Sequence, residues 1–272
     1  MISGITFGQF FPGRSAVHRI DPRVKICINL ALIVLMFMAD NFWTLGVVGI
    51  FTFAAMALSK VPFKLYLKSL KPVLVIVIFT AVLNIFYGSG EPLVSFWIFK
   101  ITKNGIFNCL FISARILLLI LSSSILTFTT SPTKLTEAIE RLLKPLTVLH
   151  VPVHDFAMVM TIALRFIPIL LEETDKIMSA QKARGADMES GGLISRVKAL
   201  IPILVPLFIS AFRRAFDLAT AMESRCYNGG KGRTKLHASK IESIDLWAFG
   251  VCGLLLVSFI FLGTVFEPAI VL

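Results

Sequence analysis

The sequence predicts an all-α integral membrane protein with about five transmembrane helices, two long helices that leave the membrane, and one short amphipathic helix. Two observations carry that expectation. Hydrophobic residues make up 56% of the 272 positions and charged residues only 16%, where soluble domains carry about a quarter charged; the mean hydropathy is +0.84. The apolar runs are also separated by basic clusters that alternate with uncharged turns, the pattern of a chain threaded repeatedly through a bilayer. The net charge of +11 fits a basic face beside anionic lipid or an acidic partner and does not require nucleic acid.

Five apolar segments read as spans: Ile26–Ala39, Phe42–Leu58, Val73–Tyr87, Ile106–Phe128 and Leu246–Val265. A perpendicular crossing takes about 20 residues. The last two suffice, while the first three are short and must draw on flanking residues or a locally thinner bilayer. As one helix, Ile26–Leu58 would be roughly 50 Å long, so Asp40-Asn41 reads as a hairpin turn. Four basic residues precede the first span (Arg14, Arg19, Arg23, Lys25), four lie between the second and third (Lys60, Lys64, Lys68, Lys71), and sixteen lie between Thr129 and Asp245. All but Lys100, Lys103 and Arg115 of the 27 then fall on one side. The positive-inside rule places the N-terminus in the cytoplasm and the C-terminus outside. No cleavage site closes the first apolar run, so it is expected to stay as an anchor. Arg115, inside the fourth span, either lines a functional cavity or is a packing or snorkelling arginine.

The chain divides into residues 1–128 with four spans, residues 129–244 as a cytoplasmic part, and residues 245–272 as the last span. In the middle part, Ser131-Pro132 opens an amphipathic helix, with Ser131 as cap and Pro132 in the first turn. Val153–Ala186 is expected as one long helix bent at Pro168, apolar at first and then charged, with Glu172 and Lys176 spaced for an ion pair. Gly191-Gly192 makes a turn, and Leu193–Tyr227 repeats the plan with Pro202 and Pro206 in its apolar half. The stretch Gly229–Lys240 is short and basic and is expected to be mobile.

Each long helix runs toward an arginine among small residues: Ala180-x-x-Ala183-Arg184-Gly185, then Ala221-x-x-Ser224-Arg225-Cys226, 41 positions later. A cation at a helix C-terminus complements the dipole, and Gly185 suits a helix-ending position, so a purely structural role accounts for one such tip. Two matched tips point further. Ala183, Gly185, Ser224 and Cys226 are small enough to let another backbone approach, and Arg184 and Arg225 supply forks of donors for carboxylates and carbonyls. Two helices of this kind can cross and present both tips on one cytoplasmic surface.

Phe7-Gly8-Gln9-Phe10-Phe11-Pro12-Gly13-Arg14-Ser15 followed by His18-Arg19-Ile20-Asp21-Pro22-Arg23-Val24-Lys25 closely resembles the N-terminal signature of the transmembrane T component of energy-coupling factor transporters. Leu164-Arg165-Phe166-Ile167-Pro168 with Glu172-Glu173, Gln181 through Asp187, and Phe212-Arg213-Arg214-Ala215 through Tyr227 are similar to the same family, so the resemblance covers nearly the whole chain. It implies a membrane scaffold whose coupling helices rest on two ATP-binding-cassette ATPases, with Arg184 and Arg225 in the ATPase grooves. A separate membrane protein, the S component, would bind a vitamin or similar micronutrient. ATP and magnesium would be used by the partner ATPases, and this chain would bind no cofactor. One departure is that the second Ala-Arg-Gly motif reads Ser224-Arg225-Cys226, which predicts a looser contact. Asp21-Pro22-Arg23 has a structural explanation as helix cap, first-turn proline and headgroup anchor.

Catalysis by this chain is not expected. Gly229-Gly230-Lys231-Gly232-Arg233-Thr234 lacks the spacing of a phosphate-binding loop, so energy would come in trans. His150 and His154 are four apart but straddle Pro152, with no local glutamate or cysteine, which argues against a metal site. Cys27, Cys109, Cys226 and Cys252 are too scattered for a disulfide framework or a zinc site. Two alternatives remain: the membrane subunit of a nickel or cobalt uptake system, which shares the architecture, and a self-sufficient secondary transporter, which would show repeated, broken spans.

Overall fold

A computed structural model describes residues 10–86, 92–96, 99–186, 192–229 and 242–265. The Phe7–Gln9 and Asp187 ends of the motifs above, Gly191, and Gly229–Lys240 apart from Gly229 lie outside them. The chain folds into two compact units, Gly8–Leu135 with Ala238–Leu272 and Thr136–His237.

The first unit begins with the short α1 (Ala16–Arg19), capped by Ser15. Next comes α2 (Pro22–Met38), where Asp21 accepts from the Arg23 N–H and Pro22 stands in the first turn. The cap read from the sequence is therefore present. The predicted hairpin break falls between α2 and α3 (Phe42–Ser59), and the Asn41 side chain accepts from the Thr44 N–H at 2.8 Å. After α3 the chain turns through Lys60 at φ 55°. The third span is α5 (Leu74–Phe86), preceded by α4 (Phe63–Leu70) in the basic stretch before it; the two are bent by 57° at the break between them. Lys64 and Lys68 stay exposed on α4 while Tyr66 is buried, as expected for an interfacial turn of helix feeding a short span.

Between α5 and α6 (Lys103–Thr129) a small antiparallel hairpin pairs β1 (Pro92–Phe96) with β2 (Phe99–Thr102), an addition to the otherwise helical chain. Thr102 caps α6 by accepting from the Gly105 N–H at 3.1 Å. A Cβ on Gly105 would lie 3.0 Å from the Ile85 carbonyl oxygen, so glycine is what lets the start of α6 lie close against the end of α5. The last span is α10 (Ser243–Val265). Leu35, Met36, Val48, Phe111, Leu255 and Phe259 from α2, α3, α6 and α10 form the core. A second cluster gathers Tyr66, Phe128 and Ile125, with the Tyr66 and Phe128 rings edge-on at 5.2 Å.

Arg115 packs rather than lining a channel. It donates to the Ala39 carbonyl at the C-terminal end of α2 and lies 4.7 Å over the Phe111 ring. A cation there offsets the negative end of α2 and satisfies an orphan carbonyl.

The helix α7 (Pro132–Leu143) starts in the first unit and passes at Thr136 into the second, which adds a 3₁₀ turn (Lys144–Leu149), α8 (Val153–Ala183) and α9 (Leu193–Glu223). The Ser131 carbonyl accepts the first helical bond, from Leu135, so α7 starts where predicted. The proline rings at 168, 202 and 206 are carried inside α8 and α9 without ending them. By length and composition, α3, α6, α8, α9 and α10 are each capable of crossing a membrane, and the bent α4–α5 pair adds a sixth candidate. The five spans of the sequence and these five overlap in three helices only, because α2 is 17 residues long while the coupling-type helices pass on apolar content.

Candidate functional site: two matched helix tips

The end of α8 is closed by two backbone bonds: Ala186 N–H to Gln181 carbonyl at 3.0 Å and Gly185 N–H to Lys182 carbonyl at 3.0 Å. Gly185 has φ 84°. This is a Schellman terminus with Arg184 as cap and Gly185 in the left-handed position. The end of α9 repeats it. Tyr227 N–H reaches the Met222 carbonyl at 3.0 Å and Cys226 N–H the Glu223 carbonyl at 2.9 Å, with Cys226 at φ 56°. Arg225 therefore holds the same place as Arg184, and Cys226 the place of Gly185. The departure in the second motif concerns backbone conformation as well as size: a left-handed residue with a Cβ costs roughly 1–2 kcal/mol, which Gly185 avoids.

All six predicted tip residues, Ala183, Arg184, Gly185, Ser224, Arg225 and Cys226, are exposed. Among the described residues neither arginine side chain has a hydrogen-bond or ion-pair partner within the chain. Both guanidinium groups are thus free to meet another surface, while their backbones are fixed by the terminus.

Three contacts define how α8 and α9 pair. Tyr227 Oη, just past the end of α9, donates to Met158 Sδ near the start of α8 at 2.9 Å. Gln181 Nε2, near the end of α8, donates to the Pro202 carbonyl near the start of α9 at 3.4 Å. In the middle, Glu173 accepts from Ser210 and from Arg214 Nε and Nη2 at 3.2 and 3.0 Å. The helices run antiparallel, and Arg184 and Arg225 stand at opposite ends of the pair.

Glu173 and Arg214 are 41 residues apart, as are Arg184 and Arg225. The two partners hold equivalent positions in the two copies of the repeat, so their contact marks a local two-fold centre. Each tip lies 11 residues from it, which at 1.5 Å per residue sets the arginines on the order of 30 Å apart. The sequence assigned a pair to Glu172 and Lys176; the ion pair found is Glu173 with Arg214. Its signal was the shared offset, which spacing along one helix does not reveal.

The histidine pair is split, since His150 at φ 60° ends the 3₁₀ turn before α8 begins. His154 Nδ1 lies 3.0 Å from Glu140 Oε1. A glutamate thus does join one of these histidines, from α7 rather than from nearby sequence.

In comparisons with known proteins, residues 13–236 match the family model described as cobalt transport protein, CbiQ. The chain is 51% identical over 259 residues to the energy-coupling factor transporter transmembrane protein EcfT of Clostridium kluyveri, covering 94% of this chain and 96% of that one. It is 49% identical over 253 residues to the EcfT of Thermosediminibacter oceani, with 93% and 96% covered. To that of Bacillus subtilis it is 47% identical over 236 residues, with 86% and 89% covered. A match of this extent, on a helical membrane chain that ends two helices in the same arginine-bearing terminus, shows that the chain belongs to the EcfT family, the transmembrane proteins of energy-coupling factor transporters.

Proposed function

We propose that this chain is the scaffold and energy-coupling subunit of an importer of the energy-coupling factor type. It would take up the motion of two ATPase subunits at Arg184 and Arg225 and pass it to a membrane S component that carries a vitamin or similar micronutrient. ATP and magnesium would be bound by the ATPases, and none by this chain. The observation that carries this reading is the pair of like termini, each presenting an uncommitted arginine, at the two ends of one antiparallel helix pair. Two equal contacts on the order of 30 Å apart suit two separate sockets better than one.

The separation also bears on orientation. The hydrocarbon layer is about 30 Å thick, so an upright antiparallel pair would put one arginine on each side of it. Both tips meet cytoplasmic ATPases only if α8 and α9 lie along the membrane face. An exposed apolar stripe on α9 (Leu200, Leu204, Phe208, Phe212, Phe216) supports that placement, turned toward lipid or a membrane partner. The N-terminus would be in the cytoplasm and the C-terminus outside, in accord with the basic residues.

The test is Arg184→Glu together with Arg225→Glu in cells expressing the whole complex. Loss of ATPase co-purification and of uptake is expected, and undiminished association with undiminished uptake removes the proposal. The family description as cobalt transport favours one second reading, the membrane subunit of a nickel or cobalt system. The ligand of the co-purified membrane partner, organic or metal ion, decides between them. Reconstituting this chain alone and finding ion-gradient-driven transport would instead establish a secondary transporter.

A further inference from the structure

In the first unit a polar cavity of about 540 Å³ opens beside α1, the starts of α2, α7 and α10, and the end of α6; its wall includes His18, Arg19, Asp21, Lys25, Lys134 and Glu242. An apolar cavity of about 280 Å³, walled by Leu32, Ala55, Ile125, Trp247 and Ala248 among others, adjoins it, for Ile20, Lys25 and Thr129 line both. The carboxylates nearby are already engaged. Asp21 holds Arg23 through Nε at 3.1 Å and Nη2 at 3.0 Å. The buried Asp245 accepts from the Asp21 N–H at 2.7 Å and the Glu242 N–H at 2.8 Å. Glu242 stands 3.9 Å from Arg19 with both side chains exposed, a pairing worth little. His18 is held between Ser15 Oγ at 2.7 Å and the Phe11 carbonyl at 2.9 Å.

The cations are less well provided for. Arg23, a headgroup anchor by sequence, is committed to Asp21. Lys25 is buried and donates to the Thr129 carbonyl at 3.0 Å and Thr130 Oγ1 at 3.3 Å. Its third ammonium proton has no acceptor among the described residues. Lys134 and Arg19, from two other elements, complete a basic wall. Lys25 immediately precedes the apolar run that begins at Ile26, which sets this wall at the depth of lipid headgroups. Trp247, an interfacial residue type, flanks the apolar side.

We propose that the two adjoining cavities seat one anionic phospholipid, its phosphate among Lys25, Lys134 and Arg19 and an acyl chain in the apolar cleft along α2, α6 and α10. A free phosphate would use the polar half alone. The apolar continuation from the same Lys25 and Thr129 is what assigns the site to a lipid. This reading is independent of the arginine tips.

The test is native mass spectrometry of the detergent-purified full chain titrated with phosphatidylglycerol, with phosphatidylcholine of the same acyl chains, and with inorganic phosphate. Phosphatidylglycerol should be retained in preference to phosphatidylcholine, and Arg19→Gln with Lys134→Gln, both exposed positions, should weaken it about tenfold. Ala248→Phe, which fills the cleft, should weaken the lipid without touching the basic wall, and thermal unfolding checks that each variant is folded. Equal retention of the two lipids overturns the proposal, as does phosphatidylglycerol binding unchanged in the double variant. Competition by inorganic phosphate with no effect of Ala248→Phe also overturns it, by showing a free-anion pocket.

Discussion

At the scale of single residues, the two tips differ at one backbone position. Cys226 adopts the left-handed conformation that Gly185 adopts without cost. Cys226→Gly should therefore tighten the second terminus by about 1 kcal/mol, and Gly185→Val should loosen the first by roughly 1–2 kcal/mol. Hydrogen exchange at the Tyr227 and Ala186 amides, which close the two termini, reads each change directly. The sequence showed that the motifs match, and the small size of Cys226 drew attention to fit. Its conformation was equally implied by alignment with Gly185, because the same terminus needs the same φ. Arg115 illustrates a different limit. Its membrane depth was plain, but its partner is a carbonyl 76 residues away, which no local pattern encodes. Arg115→Leu orphans the Ala39 carbonyl, a loss of about 1–3 kcal/mol. The buried Arg115 Nε has no partner among the described residues, so removing it recovers part of that penalty. A net destabilisation near 1 kcal/mol is expected, measured as a lower thermal midpoint in detergent.

At the scale of elements, the helices were legible because long apolar runs ended by Asp40-Asn41, Pro132 and the glycines leave little choice. The β1–β2 hairpin was not legible, because strands of 5 and 4 residues are too short to show a period of two. The pairing of α8 with α9 was half legible: a 41-residue repeat announces two like helices but leaves their relative direction open. Glu173 and Arg214 resolve it, one acidic and one basic residue at equivalent places meeting where the two copies cross over. The sign of the charge distinguishes the copies while the backbone treats them alike. Glu173→Arg should splay the pair and lower uptake while leaving each tip's own terminus intact. Adding Arg214→Glu should restore uptake. A double variant no better than the single would show that the contact is incidental.

At the scale of the molecule, the chain is a multi-pass membrane protein of the EcfT family. The proposed arrangement gives it two points of attachment rather than one. Arg184→Glu alone should weaken one ATPase contact and leave the other, so partial complexes are expected by native mass spectrometry, with uptake lost more steeply than ATPase binding. Lysine at both positions keeps the charge without the planar fork and should fall between wild type and the double glutamate variant.

The prolines of α9 have a consequence for how a push at one tip is felt. Pro206 has no N–H to offer the carbonyl of Pro202, and that vacated oxygen receives the Gln181 amide, three residues before Arg184. A gap in the internal bonding of one rod thus becomes the latch by which its neighbour's business end is fastened. Pro206→Ala would close the gap, compete for the latch and let the Arg184 end swing free of α9. Under the proposed coupling, force arriving there would be spent on bending one helix instead of turning the pair as a lever.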